Sequence, residues 1–236
     1  MRAGLDRIGL ALDEDRLRRL IRYGSMVLEY GRRVNLTAAR DMGDMVYKHL
    51  IDSASPLLLD EWPSGARVLD VGSGAGLPGM VLKICRPDLR VTLLDARRKR
   101  ARALEDIAAK LGVEARVRWG RAEELAREAG LREGFDVVIA RAVARLDVLL
   151  ELCVPFVAPG GRFIAMKGPG VRGEEMRLGE AARGRLGCGR PRERSLQLPA
   201  GAGERVLLVF PKVKATPPDY PRPAGVPEKR PLGEGG

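Results

Sequence analysis

The chain has 236 residues, 45% hydrophobic but only 4% aromatic, enough for one domain with an extension and a mainly aliphatic core. A formal net charge of +11 suits a polyanionic partner, nucleic acid first, although an arginine-rich composition alone can produce it. Three scattered cysteines without a CxxC pair, no apolar leader and no apolar run of membrane-spanning length argue against a disulfide framework, a metal site and a membrane, and for a cytoplasmic protein.

In chain order, residues 13–34 have helical apolar spacing (Leu17, Leu20, Ile21, Val27, Leu28, Val34), with Asp13 as N-cap. A polar turn, Asn35-Leu36-Thr37, leads to a second predicted helix over 42–59, started by Asp41. After Pro63-Ser64-Gly65 the pattern becomes strand–helix alternation. Strands are predicted at 66–71, 90–95, 114–119, 135–140 and 162–167. Helices are predicted from Gly76 to before Pro87 and at 99–112, 121–129, 146–157 and 171–186. RSLQL (194–198) and RVLLVFPK (205–212), joined by a Pro-Ala-Gly-Ala-Gly linker, read as a closing hairpin. These elements predict a Rossmann-like class I methyltransferase α/β fold: a seven-stranded, mostly parallel sheet with a C-terminal antiparallel hairpin and an N-terminal helical extension. The predicted divisions are 1–62 (helical extension), 63–214 (the α/β domain) and 215–236, a Pro- and Gly-rich tail read as disordered.

The chemistry centres on Asp70-Val71-Gly72-Ser73-Gly74-Ala75-Gly76, directly after the first strand. Glycines permit a tight turn and close approach of a ligand, and the helix that follows offers amides and a positive dipole end. The spacing is GxGxG rather than the dinucleotide GxGxxG, and a carboxylate, Asp70, precedes it. That carboxylate would repel a pyrophosphate but suits S-adenosylmethionine, with its sulfonium and ammonium groups. Asp95 closes the second strand, where a carboxylate can accept from both ribose hydroxyls. Ala122-Glu123, after the third strand, falls where such folds contact adenine; Glu is also favoured in any first helical turn.

The fourth strand ends in Ala140-Arg141-Ala142-Val143. The (D/N)PP(Y/F/W) clamp of exocyclic-amine methyltransferases is absent there, and Cys153 falls at an apolar helical position rather than where a nucleophile is needed. An acceptor requiring neither, such as a ring nitrogen like guanine N7, fits, because its methylation releases no proton and can rest on alignment. Arg141 is the candidate catalytic residue, read as a strand-end loop side chain contributing little to the core. His49 and Asp52 share a helix face, and whether they are functional or a packed pair stays open. Arg97, Arg98, Lys99, Arg100 and Arg102 form a basic run at the edge of the cofactor site, either RNA-contacting or merely solvated. Trp62 and Trp119 read as core or interface residues.

NLTAARD (35–41), HLIDS (49–53), DVGSGAGLPG (70–79), LLDARRKR (93–100), RAEE (121–124), ARAVA (140–144) and MKG (166–168) resemble the bacterial small-subunit ribosomal RNA methyltransferase family RsmG (GidB), over residues 15–212. The resemblance implies methyl transfer from S-adenosylmethionine to N7 of a guanine in the decoding-region loop of 16S rRNA, on free RNA or in a small-subunit assembly particle. With the residue readings above, it gives a cofactor set of Asp70, Gly72, Ser73, Gly74, Gly76, Leu77, Asp95, Ala96, Arg97, Ala122, Glu123 and Arg141. The implied RNA-side set is Lys99, Arg100, Arg121, Lys167, His49 and Asn35. Ala96-Arg97-Arg98 departs from the family's more usual Ser-Leu-x, and the tail has no assigned counterpart. A non-catalytic RNA- or nucleotide-binding protein and a small-molecule methyltransferase are the alternatives; intact Asp70, glycines and Asp95 weigh against the first, and the +11 charge against the second.

Overall fold

A computed structural model describes residues 1–59 and 62–234. Four helical pieces open the chain. They are α1 (Arg2–Arg7), α2 (Glu14–Val34), α3 (Met42–Asp44) and, after a π-helical stretch at Met45–Leu50, α4 (Ile51–Ala54). Asp13 caps α2 by accepting from the Arg16 amide at 2.8 Å. The apolar stripe of α2 buries Leu17, Leu20, Tyr23 and Val27, and Asn35 ends the helix in the left-handed region (φ 50°). Asp41 starts α3 as expected, but the predicted helix over 42–59 is not regular: it widens to π and tightens to 3-10 at Ser55–Leu58. The widened stretch carries Lys48 and His49, and local widening of this kind re-aims side chains. Helix α1 was not expected.

The βα alternation follows as β1 (Arg67–Val71), α5 (Gly79–Cys85), β2 (Arg90–Asp95), α6 (Arg98–Leu111), β3 (Arg116–Trp119), α7 (Ala122–Leu125), β4 (Phe135–Arg141), α8 (Leu146–Cys153), β5 (Val157–Lys167) and α9 (Glu174–Arg183). Then come β6 (Arg192–Leu198), β7 (Gly203–Pro211) and a last turn, α10 (Val226–Lys229). The seven strands form one sheet in the order β3-β2-β1-β4-β5-β7-β6, parallel through β5, with β7 antiparallel to both β5 and β6. The expected fold class therefore stands. The inner strands β1, β2 and β4 are buried along nearly their whole length because helices cover both faces, and so read as mainly apolar. Residues of α1, α2 and α4 share one core with one face of the sheet; α8, α9 and the chain end cover the other.

Chain order reverses between β1 and β4, so the loops after these strands diverge and leave a crevice at their carboxyl ends. Asp70, Asp95 and Arg141 all lie on that edge.

The segment after Lys214 overturns the reading of a disordered tail. It is packed onto the body as far as Glu234; the last two residues, like the chain at 60–61 beside the expected domain boundary, lie outside the described residues. Proline denies this segment a regular backbone ladder, but its carbonyls find donors elsewhere. Arg132 donates to the carbonyls of Thr216, Pro217 and Tyr220, and Arg127 to those of Asp219 and Pro221. Arg222 forks onto the buried carboxylate of Glu151, and Leu232 is buried.

Candidate active site

The glycine loop is held from three sides. From β2, the Leu94 carbonyl accepts from the amides of Gly72 (2.8 Å) and Ser73 (2.9 Å). The buried Ser73 hydroxyl bridges β1 and β2, donating to the Asp70 carbonyl and accepting from the Leu94 amide. From α2, the fully buried Tyr23 hydroxyl donates to the Ala75 carbonyl at 2.5 Å. A Cβ on Gly76, at φ +89°, would lie 2.9 Å from that hydroxyl, so glycine is required there by packing as well as by backbone. The N-terminal helix thus builds the back of the loop, a role its apolar spacing does not reveal. Leu77 is buried behind the loop.

Asp70 is fully buried. Its Oδ2 accepts from the Gly79 amide at 2.8 Å, capping α5 from nine residues upstream, while Oδ1 has no partner. The amides of Gly76 and Leu77 turn back to the Ser73 carbonyl, so these loop and helix-start donors serve the fold rather than standing open to a ligand carboxylate. Burial pushes the Asp70 carboxyl up to about 7, against the pull of the Gly79 amide and the Arg141 charge. Between the unfolded value near 4 and about 7 the native state holds the extra proton, so stability falls as pH rises through that window, by up to about 1.4 kcal/mol per unit. Asp70→Asn is expected to flatten this slope and raise the melting temperature at pH 8, as thermal melts from pH 4 to 8 would show. An unchanged profile would place the titration elsewhere.

Asp95 (4% exposed) ties two loops to the end of β2: Oδ2 accepts from the Gly74 amide at 2.9 Å and Oδ1 from the Arg97 amide at 2.7 Å. Beside it opens a cavity of about 200 Å³. Val71, Leu94, Ala122, Val143, Val148 and Leu152 give it apolar walls, Gly72 and Ala96 line its edge, and Glu123 supplies an acid. A Cβ at Gly72 (φ +72°) would come within 2.7 Å of Val143 Cγ2, so only glycine lets the loop after β4 close over this point. An apolar cavity with the carboxylates of Glu123 and Glu228 in its lining, and the buried Asp70 carboxylate beneath the loop, fit the adenosyl and cationic parts of S-adenosylmethionine. Glu123 is itself occupied: its Oε1 accepts from Arg121 (2.9 Å) and from the Gly225 amide (2.9 Å). Burial alone would raise its carboxyl, but these donors hold it below the usual range.

Across the crevice, Arg141 is the last residue of β4 and not a loop side chain. Its side chain is 13% exposed and donates to Asp52 Oδ2 at 2.8 Å. Asp52 is fully buried and also receives a two-bond fork from Arg205 of β7, at 2.6 and 2.9 Å. Arg141 Nη2 lies 3.3 Å from His49 Nδ1. A guanidinium can only donate, so this nitrogen accepts and the ring proton sits on Nε2. Burial, then the Arg141 charge, pushes the His49 pKa down to about 4, leaving a neutral ring at pH 7. His49 and Asp52 both contact Arg141, as half of a four-residue cluster whose fourth member, Arg205, nothing in the sequence singles out.

The expected RNA-side cations divide in two. Arg97, Arg98, Lys99 and Arg102 are exposed at the start of α6, whereas Arg121, in the cavity lining, is half-exposed and paired with Glu123. Arg100 and Lys167 have internal partners instead. Arg100 crosses the glycine loop to donate to the carbonyl of exposed Asn35 (3.1 Å), and Lys167 donates to the Ala144 carbonyl (2.6 Å) and Glu175 (2.5 Å). Trp119 is 55% exposed, its indole N–H on the Ala96 carbonyl and the Arg98 guanidinium over its ring; Trp62 is part-buried, donating to the Pro56 carbonyl. Cys153 is fully buried, its thiol pushed up by burial, so it is withheld from any substrate. Among the described residues no cluster of three metal-ligating side chains occurs and no helix is long and apolar enough to cross a membrane.

Comparisons with known proteins bear on the fold and the family. Among solved structures, TrmN from Thermus thermophilus superposes with a TM-score of 0.54 at 20% identity, covering 78% of this chain and 53% of that one, a likeness of fold. The ribosomal RNA small subunit methyltransferase G of Symbiobacterium thermophilum is 44% identical over 97% of this chain and 95% of its own length. That of Geobacillus kaustophilus is 42% identical over 97% and 96%. Residues 16–182 match the profile of the GidB family, rRNA small subunit methyltransferase G. A methyltransferase crevice on this fold, matched by relatives along nearly the whole chain, places the protein in the GidB family of S-adenosylmethionine-dependent rRNA small subunit methyltransferases.

Proposed function

We propose that this protein methylates N7 of a guanine in the decoding-region loop of 16S rRNA, in the cytoplasm, on free RNA or in a small-subunit assembly particle. The observation that carries the choice of acceptor is the end of β4: Arg141, held between Asp52 and a neutral His49, stands where an amine clamp or a nucleophile would otherwise be needed. S-adenosylmethionine, when bound, supplies an electrophilic methyl group. The cavity lined by Leu94, Ala96 and Ala122 takes the adenosine end, and Asp95, between Leu94 and Ala96 in the chain, is assigned to the ribose hydroxyls. The glycine loop lies at the cationic end, with the fully buried Asp70 carboxylate behind it. Arg141 positions the guanine through its O6 or the cofactor carboxylate, leaving N7 free. N7 carries no proton to lose, so the reading needs no base, and a His49 with its pKa near 4 agrees. The target base must be unstacked to reach the methyl carbon.

The test is incubation of the protein with labelled cofactor and undermethylated small-subunit rRNA, free and in particles, followed by mapping of the labelled nucleotide. Label at N7 of one decoding-region guanine is the expected result; label elsewhere, or only on a small molecule, would overturn the reading.

The exposed cations of α6 are assigned to the RNA backbone. Arg98→Ala with Lys99→Ala is expected to raise KM for RNA and to lower the slope of log affinity against log salt by about 0.7–0.9 per charge removed. Affinity for S-adenosylhomocysteine should hardly move. Equal losses of both affinities would assign these residues to the cofactor side instead.

A further inference from the structure

The cavity assigned to adenosine is not closed by the methyltransferase sheet alone. Its remaining wall is the turn Gly225–Lys229, from a segment that the matched family profile, ending at residue 182, does not reach. Pro227, buried, and Glu228, exposed, line the same cavity as Gly72 and Ala122. The turn is pinned on both sides. Before it, the fully buried Lys212 donates to Thr216 Oγ1, and Arg222 forks onto buried Glu151 of α8 at 2.7–3.2 Å. After it, Leu232 is buried and Glu234 pairs with Arg145 at 2.5 Å, at the start of α8. In the middle, the Gly225 amide donates to Glu123 Oε1 at 2.9 Å, with Gly225 at φ +79°. Glu123, which the resemblance places at the adenine, therefore carries the strap that walls the pocket.

We propose that the carboxy-terminal strap is part of the cofactor site: Pro227 packs on the adenine face, Glu228 lies at its edge, and Glu123 acts through Gly225 as a positioning residue. The proposal rests on the reading of this cavity as the adenosine site. Strapping is stronger than a free tail would need, since two buried carboxylates, Glu123 and Glu151, are spent holding this one short segment. An apolar ring and a carboxylate beside Ala122 suit a purine with an exocyclic amine, and suit a second phosphate poorly.

The experiment is calorimetry on the full chain with S-adenosylhomocysteine and with 5′-methylthioadenosine, which lacks the amino-acid end. Pro227→Gly, Glu228→Ala and Arg222→Ala are compared with Asp95→Ala, with thermal melts alongside. Each strap variant is expected to weaken both ligands by the same factor, about three- to tenfold. In the wild type, either ligand should slow amide exchange at residues 225–229. If Asp95→Ala weakens binding while Pro227→Gly and Glu228→Ala bind as wild type and exchange at 225–229 does not respond, the strap is structural only and the proposal fails. If Asp95→Ala also binds normally, the assignment of the cavity itself fails. If Arg222→Ala does not fold, the other two variants and the exchange measurement decide.

Discussion

Arg141→Lys should lower single-turnover methylation by about a hundredfold at saturating RNA and cofactor, the scale for misplacing a positioning group by an ångström. The reason is geometric. The Arg141 guanidinium reaches Asp52 through Nη1 and His49 through Nη2, and a lysine ammonium is a single point that cannot do both while also facing the substrate. Stability should respond less to Arg141 than to Asp52. In Arg141→Ala the Asp52 carboxylate keeps the two-bond fork of Arg205, so the expected cost is about 1.5–3 kcal/mol, the range for hydrogen bonds to a charged group. Asp52→Ala instead strands two guanidinium groups against a buried site and should cost about 3–5 kcal/mol. Thermal melts beside the kinetics check the order. A Lys variant with a near-wild-type rate would show that charge alone matters at the end of β4.

Asp95→Ala should weaken binding of S-adenosylhomocysteine by about 1.5–3 kcal/mol, roughly ten- to 150-fold in Kd. Asp95 also holds Gly74 and Arg97 by their amides, so the variant should lose melting temperature even without ligand. Asp95→Asn separates the two effects. Its amide keeps one acceptor where the carboxylate has two, so it can hold either Gly74 or Arg97 but not both, and should fall between wild type and Ala in both measurements. Calorimetry with melts on the unliganded proteins provides the check. An unchanged Kd in a folded Ala variant would remove Asp95 from the ribose.

Much of this was legible from sequence because it is local. Strand β2 falls on its predicted 90–95, and β4 runs one residue past its prediction, because a strand buried on both faces writes a mainly apolar run. The cap Asp13 was legible for the same reason, since a cap acts within a few residues of itself. The hairpin of β6 and β7 followed from its linker, and Asp70 and Asp95 from their places at strand ends.

What only the tertiary structure decided is which polar groups meet across long stretches of chain. Arg205 joins Asp52 from 153 positions away, and Tyr23 reaches the glycine loop from 52. No periodicity encodes such distances. The basic cluster shows the same limit: Arg100 and exposed Lys99 are neighbours in sequence, but helix geometry points one across the glycine loop at Asn35. The tail is the clearest case. Its prolines and glycines carry no pattern of burial, and by composition it cannot order itself. It orders because Arg127, Arg132 and Glu151, brought together by the sheet and its helices, supply the hydrogen-bond partners its own backbone lacks.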